Sequence, residues 1–301
     1  MKFIVTGGAG FIGSRIVRSL LKNNNSVTII DNLHTGKLEN LFDIENEVEF
    51  IKADIRDYDN LQKIVKNYDG VFHEAALTIV QESFSKQKEY NDVNVIGTEN
   101  IFKIAQNHNI KVVFASSSSV YGDQTSFPIK ESAPKNPLNP YGETKLEDEK
   151  LAEKFSKLGL NVIGLRYFNV YGIGQTGSYA GVITKFINRL KQKMAPQING
   201  DGKQIRDFIF VDDIADANVS AMNSSVSSGF FNIGTGIGTT FNQLAEKLIE
   251  ISGEDTSSIH LDTMKGDIKI SQADISLTEK TLQWKSKTKL MDGLQKIYPD
   301  F

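Results

Sequence analysis

The chain contains no cysteine, which excludes a disulfide scaffold, a thiolate nucleophile and any metal held by Cys. Histidine is nearly as scarce. His34, His73, His108 and His260 are the four present, and no two stand at metal-ligand spacing, so no metal site is expected. Long apolar runs are missing too: nothing approaches the ~18 consecutive apolar residues of a membrane span. Met1 runs through Lys2-Phe3-Ile4-Val5-Thr6 into glycines without an apolar leader, so a cytoplasmic protein without membrane contact is expected. Neither charge sign dominates, with 34 Lys+Arg against 37 Asp+Glu and a formal net charge of −3. Without a basic surplus to displace counterions, no nucleic-acid partner is expected. Proline is absent from the first hundred residues, and prolines 128, 134, 137 and 140 cluster in one stretch that must be a loop.

What remains is a globular composition, 40% hydrophobic and 24% charged over 301 residues. That length makes one large domain or two small ones, burying roughly 75% of the unfolded surface. Short β-branched or aromatic runs at 3–6, 26–30, 48–51, 71–74, 111–115 and 161–167 alternate with polar-faced segments. Their near-continuous apolar character predicts α/β architecture, a parallel sheet covered by helices on both faces. Residues 90–107 predict the clearest helix, with Val93, Ile96, Ile101, Ile104 and Ala105 near one face. After residue 170 glycines 172, 174, 177 and 181 loosen the pattern. A helix over 182–192 and shorter mixed elements there predict a smaller second domain that does not continue the sheet. The expected division is 1–170 and 171–301, approximate and open to interleaving.

Three motifs carry chemistry. Gly7-Gly8-Ala9-Gly10-Phe11-Ile12-Gly13 follows the first strand and opens an amphipathic helix. Such glycines let backbone amides and a helix N-terminus approach a pyrophosphate, because no Cβ intervenes. A glycine-rich turn alone is weak evidence; the context strengthens it. Asp31 ends the second strand 18 residues after Gly13, close to the ~20 expected of a ribose-binding carboxylate. A carboxylate there repels a 2′-phosphate, which favours NAD over NADP.

The second motif is Ser116-Ser117-Ser118-Ser119-Val120-Tyr121-Gly122, at the carboxyl end of a central strand, where open α/β sheets place their ligands. The third is Tyr141-Gly142-Glu143-Thr144-Lys145, whose Tyr and Lys share one helix face. An exposed aromatic–Lys pair is the ordinary reading of that spacing. As a base near neutrality, a phenol must fall from ~10 to ~7, about 4 kcal/mol. A Lys ammonium and an oxidised nicotinamide, each ~5 Å away at effective dielectric ~20, would each supply about 3 kcal/mol before desolvation opposes them.

In this order the motifs resemble the extended short-chain dehydrogenase/reductase family. Within it the chain is similar to NAD-dependent nucleotide-sugar epimerases of the UDP-glucose/UDP-galactose 4-epimerase type. Further matching segments are Ala53-Asp54-Ile55, residues 72–77, Asn94, residues 166–169, residues 206–213, Gly266-Asp267, residues 273–276 and Trp284. The resemblance implies a Rossmann-type doubly wound sheet over 1–170 and a smaller mixed α/β substrate domain over 171–301. It implies Tyr141 as general base, Lys145 as its partner on the nicotinamide ribose, and Ser117, with Ser118 beside it, on the sugar. It places Gly7, Gly10, Phe11, Ile12, Gly13, Asp31, Asn32, Asp54, Ile55, Ala75, Ala76, Asn94 and Phe168 against NAD. Asn169, Val182, Asn199, Arg206, Asp267 and Ser271 would line the UDP-sugar side. For two of these plainer readings stand: Val182 as core, and Arg206 paired with Asp207 or Asp212.

One departure is visible. Such epimerases commonly carry an Arg two residues before the Gly-Asp pair, where this chain has Met264; Lys265 is adjacent, but strand alternation points it the other way. Dehydratase relatives need an Asp-Glu pair where Ser118 and Ser119 stand, and decarboxylating relatives a Glu nearby, so both are disfavoured. A UDP-glucuronate 4-epimerase is compatible with the same serines, whereas a non-catalytic NAD-binding protein, the other alternative, has no need of Ser117, Tyr141 and Lys145 together. Where relatives restricted to unmodified sugars hold a bulky Tyr, this chain has Ser271, which leaves space for an acetamido group. A homodimer is expected, with helix 90–107 and the helix from Tyr141 pairing with their copies.

Overall fold

The computed structural model describes residues 1–175, 181–263 and 268–301. Its first half alternates strand and helix: β1 (Lys2–Thr6), α1 (Phe11–Lys22), β2 (Ser26–Asp31), β3 (Val48–Lys52), α2 (Tyr58–Ile64) and β4 (Gly70–His73). Next come α3 (Val80–Ser85), α4 (Gln87–Tyr90), a π-helical stretch (Asn91–Ile96), α5 (Gly97–Asn107), β5 (Lys111–Ser117), α6 (Pro140–Lys157) and β6 (Val162–Tyr167). The six expected strands all form, shifted by one or two residues at their ends. The expected single helix 90–107 does not, because it is broken by the π-helical stretch.

The second half carries β7 (Asn169–Tyr171), α7 (Val182–Lys191), β8 (Gln197–Asn199), β9 (Ile205–Phe210), α8 (Val211–Asn223) and β10 (Ser228–Ile233). It ends with β11 (Gly238–Thr240), α9 (Phe241–Ser252), β12 (Ile259–Leu261), β13 (Ile270–Ser271), α10 (Ser276–Leu282) and α11 (Leu290–Ile297).

The main sheet has seven strands in the order β10-β6-β5-β4-β1-β2-β3, every neighbouring pair parallel. Strand order reverses between β1 and β4, which opens a crevice at their carboxyl ends. This is the doubly wound Rossmann architecture. One core joins the sheet to α1 and α8 through Phe3, Val5, Ile16, Val17, Leu20, Ile214 and Ala217. Another, on the opposite face, joins it to α5 and α6 through Ile4, Val71, Ile101, Phe102, Ala152 and Phe155.

Two expectations need correction. The chain after residue 170 does not leave the sheet for good: β10 pairs with β6 from Ser228↔Val162 to Ile233↔Tyr167, and α8 packs on α1. The Rossmann unit is therefore interleaved with the smaller one. That smaller unit is a four-stranded sheet, β11-β9-β13 with β7 on β9, over a core of Tyr171, Phe186, Ile187, Phe208, Leu244 and Leu294. Secondly, Ile101, Ile104 and Ala105, expected to face a partner chain, are buried against the chain's own sheet. Among the described residues no helix is long and apolar enough to cross a membrane.

Candidate functional site

The crevice starts at the glycine turn. Gly7 has φ +68°, and a Cβ on it would lie 2.7 Å from the Ala75 amide nitrogen; one on Gly13 would overlap the Gly7 carbonyl oxygen. Bare backbone is therefore required at both positions. The turn delivers the chain to α1, whose N-cap Gly10 supplies no side-chain cap, so its first amides are free for an anion. Phe11 and Ile12 form the first turn of the helix, and Ile12 packs into the core.

Asp31 closes β2 and is buried; it accepts the Ala9 amide at 3.0 Å and the Leu33 amide at 2.8 Å. Burial raises its pKa, against the lowering effect of those two amides. Hydroxyl donors from a ribose would complete the carboxylate's lone pairs. Asn32 donates to Asp54 at 3.0 Å, and Asp54 also accepts Arg56 through Nε and Nη2. The Arg56 guanidinium holds the Asp54 carboxyl far below the usual range. Ile55 is buried against Gly97. Ala75 and Ala76 follow β4 and are partly exposed.

Asn94, expected beside the cofactor, has its side chain bonded within the protein. It is fully buried, with its oxygen accepting the Leu77 amide (2.8 Å) and its nitrogen donating to Leu77 O (3.0 Å) and Thr144 Oγ1 (3.0 Å). It fastens the loop after β4 to α6.

At the end of β5, Ser117 caps a short turn: its Oγ accepts the Ser119 amide and donates to Ser119 Oγ, both at 3.1 Å. Ser118 is partly exposed beside it. The first turn of α6 packs directly on this turn, since a Cβ on Gly142 would lie 2.8 Å from Ser119 O. Asn139 caps α6 by accepting the Gly142 amide (2.8 Å), with Pro140 at the first helical position as N-terminal preferences dictate. Tyr141 is thereby fixed in the first turn, its amide donating to Ser83 Oγ at 3.2 Å.

Lys145, one turn later, is buried and ion-paired to Asp148 Oδ2 at 3.2 Å. Burial pulls its pKa down, but Asp148, the Tyr141 phenol and Glu74 together raise it. Asp148 is wholly buried and its Oδ1 has no hydrogen-bond partner. Burial pushes its carboxyl up to about 7 against the pull of Lys145 and the nearby Thr98 hydroxyl. Behind Thr98, the His73 ring bridges Thr98 Oγ1 (2.9 Å) and Thr6 Oγ1 (2.7 Å). Burial, then Lys145, pushes the His73 pKa down to about 3, so the ring is neutral. Glu74 accepts the Tyr167 hydroxyl at 2.9 Å, and Tyr167 accepts Asn218 Nδ2 at 2.7 Å. Burial pushes Glu74 up to about 8, with the Tyr167 bond and Lys145 pulling the other way.

Asp148 and Thr98 escaped the sequence reading, and Glu74 and His73 were read only as part of the matching segment 72–77. Only Asp148 carried a signal, its place three residues after Lys145 on the same helix face.

The second sheet gathers the other expected residues. Asn169 pairs in register with Phe208, and Ser271 with Arg206. Arg206 lies with its guanidinium 5.4 Å from the Phe241 ring centroid. Ser271 is buried. Asn199 ends β8 and accepts Gln204 Nε2 at 2.8 Å. Val182 opens α7 and packs against the second core, as its plainer reading predicted. Phe168 is buried with Val120, Tyr121, Ile129 and Ala273. Met264, Lys265, Gly266 and Asp267 lie outside the described residues.

A profile of the NAD dependent epimerase/dehydratase family matches residues 3–234. The chain belongs to this family. The glycine cradle and Asp31 fit its dinucleotide, and NAD is the cofactor. Among curated proteins, a putative UDP-glucose 4-epimerase of Methanocaldococcus jannaschii is 40% identical over 98% of this chain and 96% of its own length. A UDP-N-acetylglucosamine 4-epimerase of Methanobrevibacter ruminantium, solved with UDP-N-acetylmuramic acid, has TM-score 0.94 and 40% identity, covering 99% of this chain and 97% of that one. A UDP-glucose 4-epimerase of Thermotoga maritima, solved with UDP-glucose, has TM-score 0.94 and 36% identity, covering 99% and 98%.

Proposed function

We propose that the protein is an isomerase that interconverts UDP-sugars epimeric at C4. The observation that supports this reading is that the first turn of α6, which carries Tyr141, packs on the turn capped by Ser117, with buried Lys145 close enough to feel the Tyr141 phenol. When bound, NAD supplies a hydride acceptor that becomes the donor for the return step, by way of a 4-keto sugar. Ser117 orients the 4-hydroxyl. Tyr141 accepts its proton and later returns it, so the residue ends each cycle as it began. Lys145 stabilises the phenolate and holds the nicotinamide ribose. Asn169, Asn199, Arg206 and Asp267 hold the nucleotide, with Val182 packed into the core behind them. Serine at 118 and 119 leaves no acid–base pair for an elimination.

Ser271 sets the breadth of the substrate range. A side chain this small leaves room for a 2-acetamido group, and the M. ruminantium relative is named for an acetylated sugar. Chromatography after incubation with UDP-glucose, UDP-galactose, their N-acetylated forms and UDP-glucuronate tests the whole reading. Turnover of UDP-N-acetylglucosamine is expected, and Ser271→Tyr lowers it at least about tenfold while sparing UDP-glucose. Tyr141→Phe loses about 10²–10⁴-fold. Decarboxylated or dehydrated products, or an active Tyr141→Phe, would overturn the reading.

The working unit in this proposal is a homodimer. Its support is that Phe84 on α3 and Ile96 before α5 remain exposed on segments that pack on α6. Light scattering near the monomer mass of 33.4 kDa at micromolar concentration would refute it.

A further inference from the structure

We propose that Asp148 is a positioning residue that fixes the Lys145 ammonium and offsets part of its charge, so that the ion pair sets how readily Tyr141 takes a proton. The proposal rests on Tyr141 being the base. Three observations lead to it. Asp148 stands three residues after Lys145 on α6, with Oδ2 3.2 Å from Nζ. It is fully buried, and its Oδ1 has no hydrogen-bond partner. A hydroxyl from another element bears on it: that of Thr98 on α5, which lowers the Asp148 pKa and is itself bonded to neutral His73 on β4.

Fold stability does not call for this arrangement. A buried ion pair with an unsatisfied oxygen is commonly matched or exceeded by apolar residues of similar volume. The charge has an electrostatic consequence instead. Lys145 feels Asp148, Tyr141 and Glu74 together, so an ammonium that favours the Tyr141 phenolate is shared with two carboxyls. The charged neighbours that face Asp148 are Lys145 and Glu149, and Glu149 is turned to Arg166 at 2.7 Å. Asp148 ionises with its carboxyl pushed up to about 7. As the pH falls, protonated Asp148 releases the full ammonium charge to Tyr141; as it rises, the offset returns.

The test is the pH profile of kcat/KM for epimerisation in Asp148→Asn, with near-ultraviolet absorbance titration of the Tyr141 phenol. That signal is isolated by subtracting each variant's Tyr141→Phe counterpart. Removing the carboxylate moves the acid limb down by about 1.5 pH units, as loss of a unit charge ~8 Å away at effective dielectric ~20 requires. The alkaline limb also moves down, because the buried ammonium loses its counter-ion. kcat changes more than KM, and Asp148→Glu restores both limbs toward wild type. A uniform loss of activity with both limbs unmoved overturns the proposal. Should Asp148→Asn fail to fold or to retain NAD, Thr98→Val takes its place. It keeps the ion pair but raises the Asp148 pKa, so the acid limb moves down by less; an unmoved limb again overturns the proposal. If Tyr141→Phe remains active, the base assignment has failed, and the absorbance titration still reads the effect of Asp148 on the Tyr141 phenol.

Discussion

Glu74 shows how one residue's surroundings reach the behaviour of the molecule. It follows β4, accepts Tyr167 Oη, and burial pushes it up to about 8. A glutamate in the unfolded chain titrates near ~4.3. Between those values the folded protein holds a proton that the unfolded chain releases, so stability is complete below the lower value and is lost as pH rises through about 8. The slope for one such proton is roughly 1.4 kcal/mol per pH unit. Neutral His73, pushed down to about 3, acts in the opposite sense: its contribution is present above ~6.5 and lost as pH falls below it. Urea unfolding of wild type and Glu74→Gln at fixed NAD, from pH 5 to 8, is expected to show a steeper loss with rising pH in wild type, the contributions of His73 and Asp148 being common to both. Parallel curves would show that Glu74 titrates normally. Nothing in the run His73-Glu74-Ala75 announced any of this, because it depends on Tyr167 and Asn218, distant in sequence.

Between residue and molecule, legibility followed the range of the interaction. β1, β2 and the glycine turn were readable because their cause is local: an apolar run, then residues without a Cβ, then an amphipathic helix. The Asn139 cap and Pro140 mark the start of α6 for the same reason. The helix expected over 90–107 failed for the complementary reason. Asn94 turns inward to take both backbone groups of Leu77 and the Thr144 hydroxyl, and the backbone around it winds as π-helix. A 3.6-residue pattern registers Val93 and Ile96 as part of one apolar face; it cannot register that an Asn between them has three partners waiting on other elements. The same blindness sent Ile101, Ile104 and Ala105 toward an imagined partner chain, although the sheet had already claimed them. Periodicity reports that a face is apolar, never what covers it.

At the scale of the whole chain, the interleaving decides what can fold alone. A cut at residue 170 follows the composition shift in the sequence, but it removes β10 from the edge of the main sheet and α8 from the face of α1. With them go Ile209, Ile214, Phe231, Ile233, Leu282 and Trp284, all buried in the core that holds Phe3, Val5 and Ile16. Each such side chain contributes about 2 kcal/mol on burial, and six together rival the entire ~5–15 kcal/mol net stability of a native protein. The lobes are also tied by Arg15 to Asp212 at 2.6 Å, with Lys296 on the same carboxylate at 3.1 Å. Residues 1–170 expressed alone are therefore expected to lack a cooperative thermal transition and to retain no NAD, although every residue of the glycine cradle, Asp31, Tyr141 and Lys145 is present. A sharp melt with bound cofactor would show that the first half is autonomous. If the fragment fails as expected, the reason the site works only in the full chain is geometric. The ends of β4, β5 and β6 carry Glu74, Ser117 and Tyr167, and Tyr167 is held by Asn218 from the returning helix. The second half of the chain thus reaches back to position the first half's chemistry.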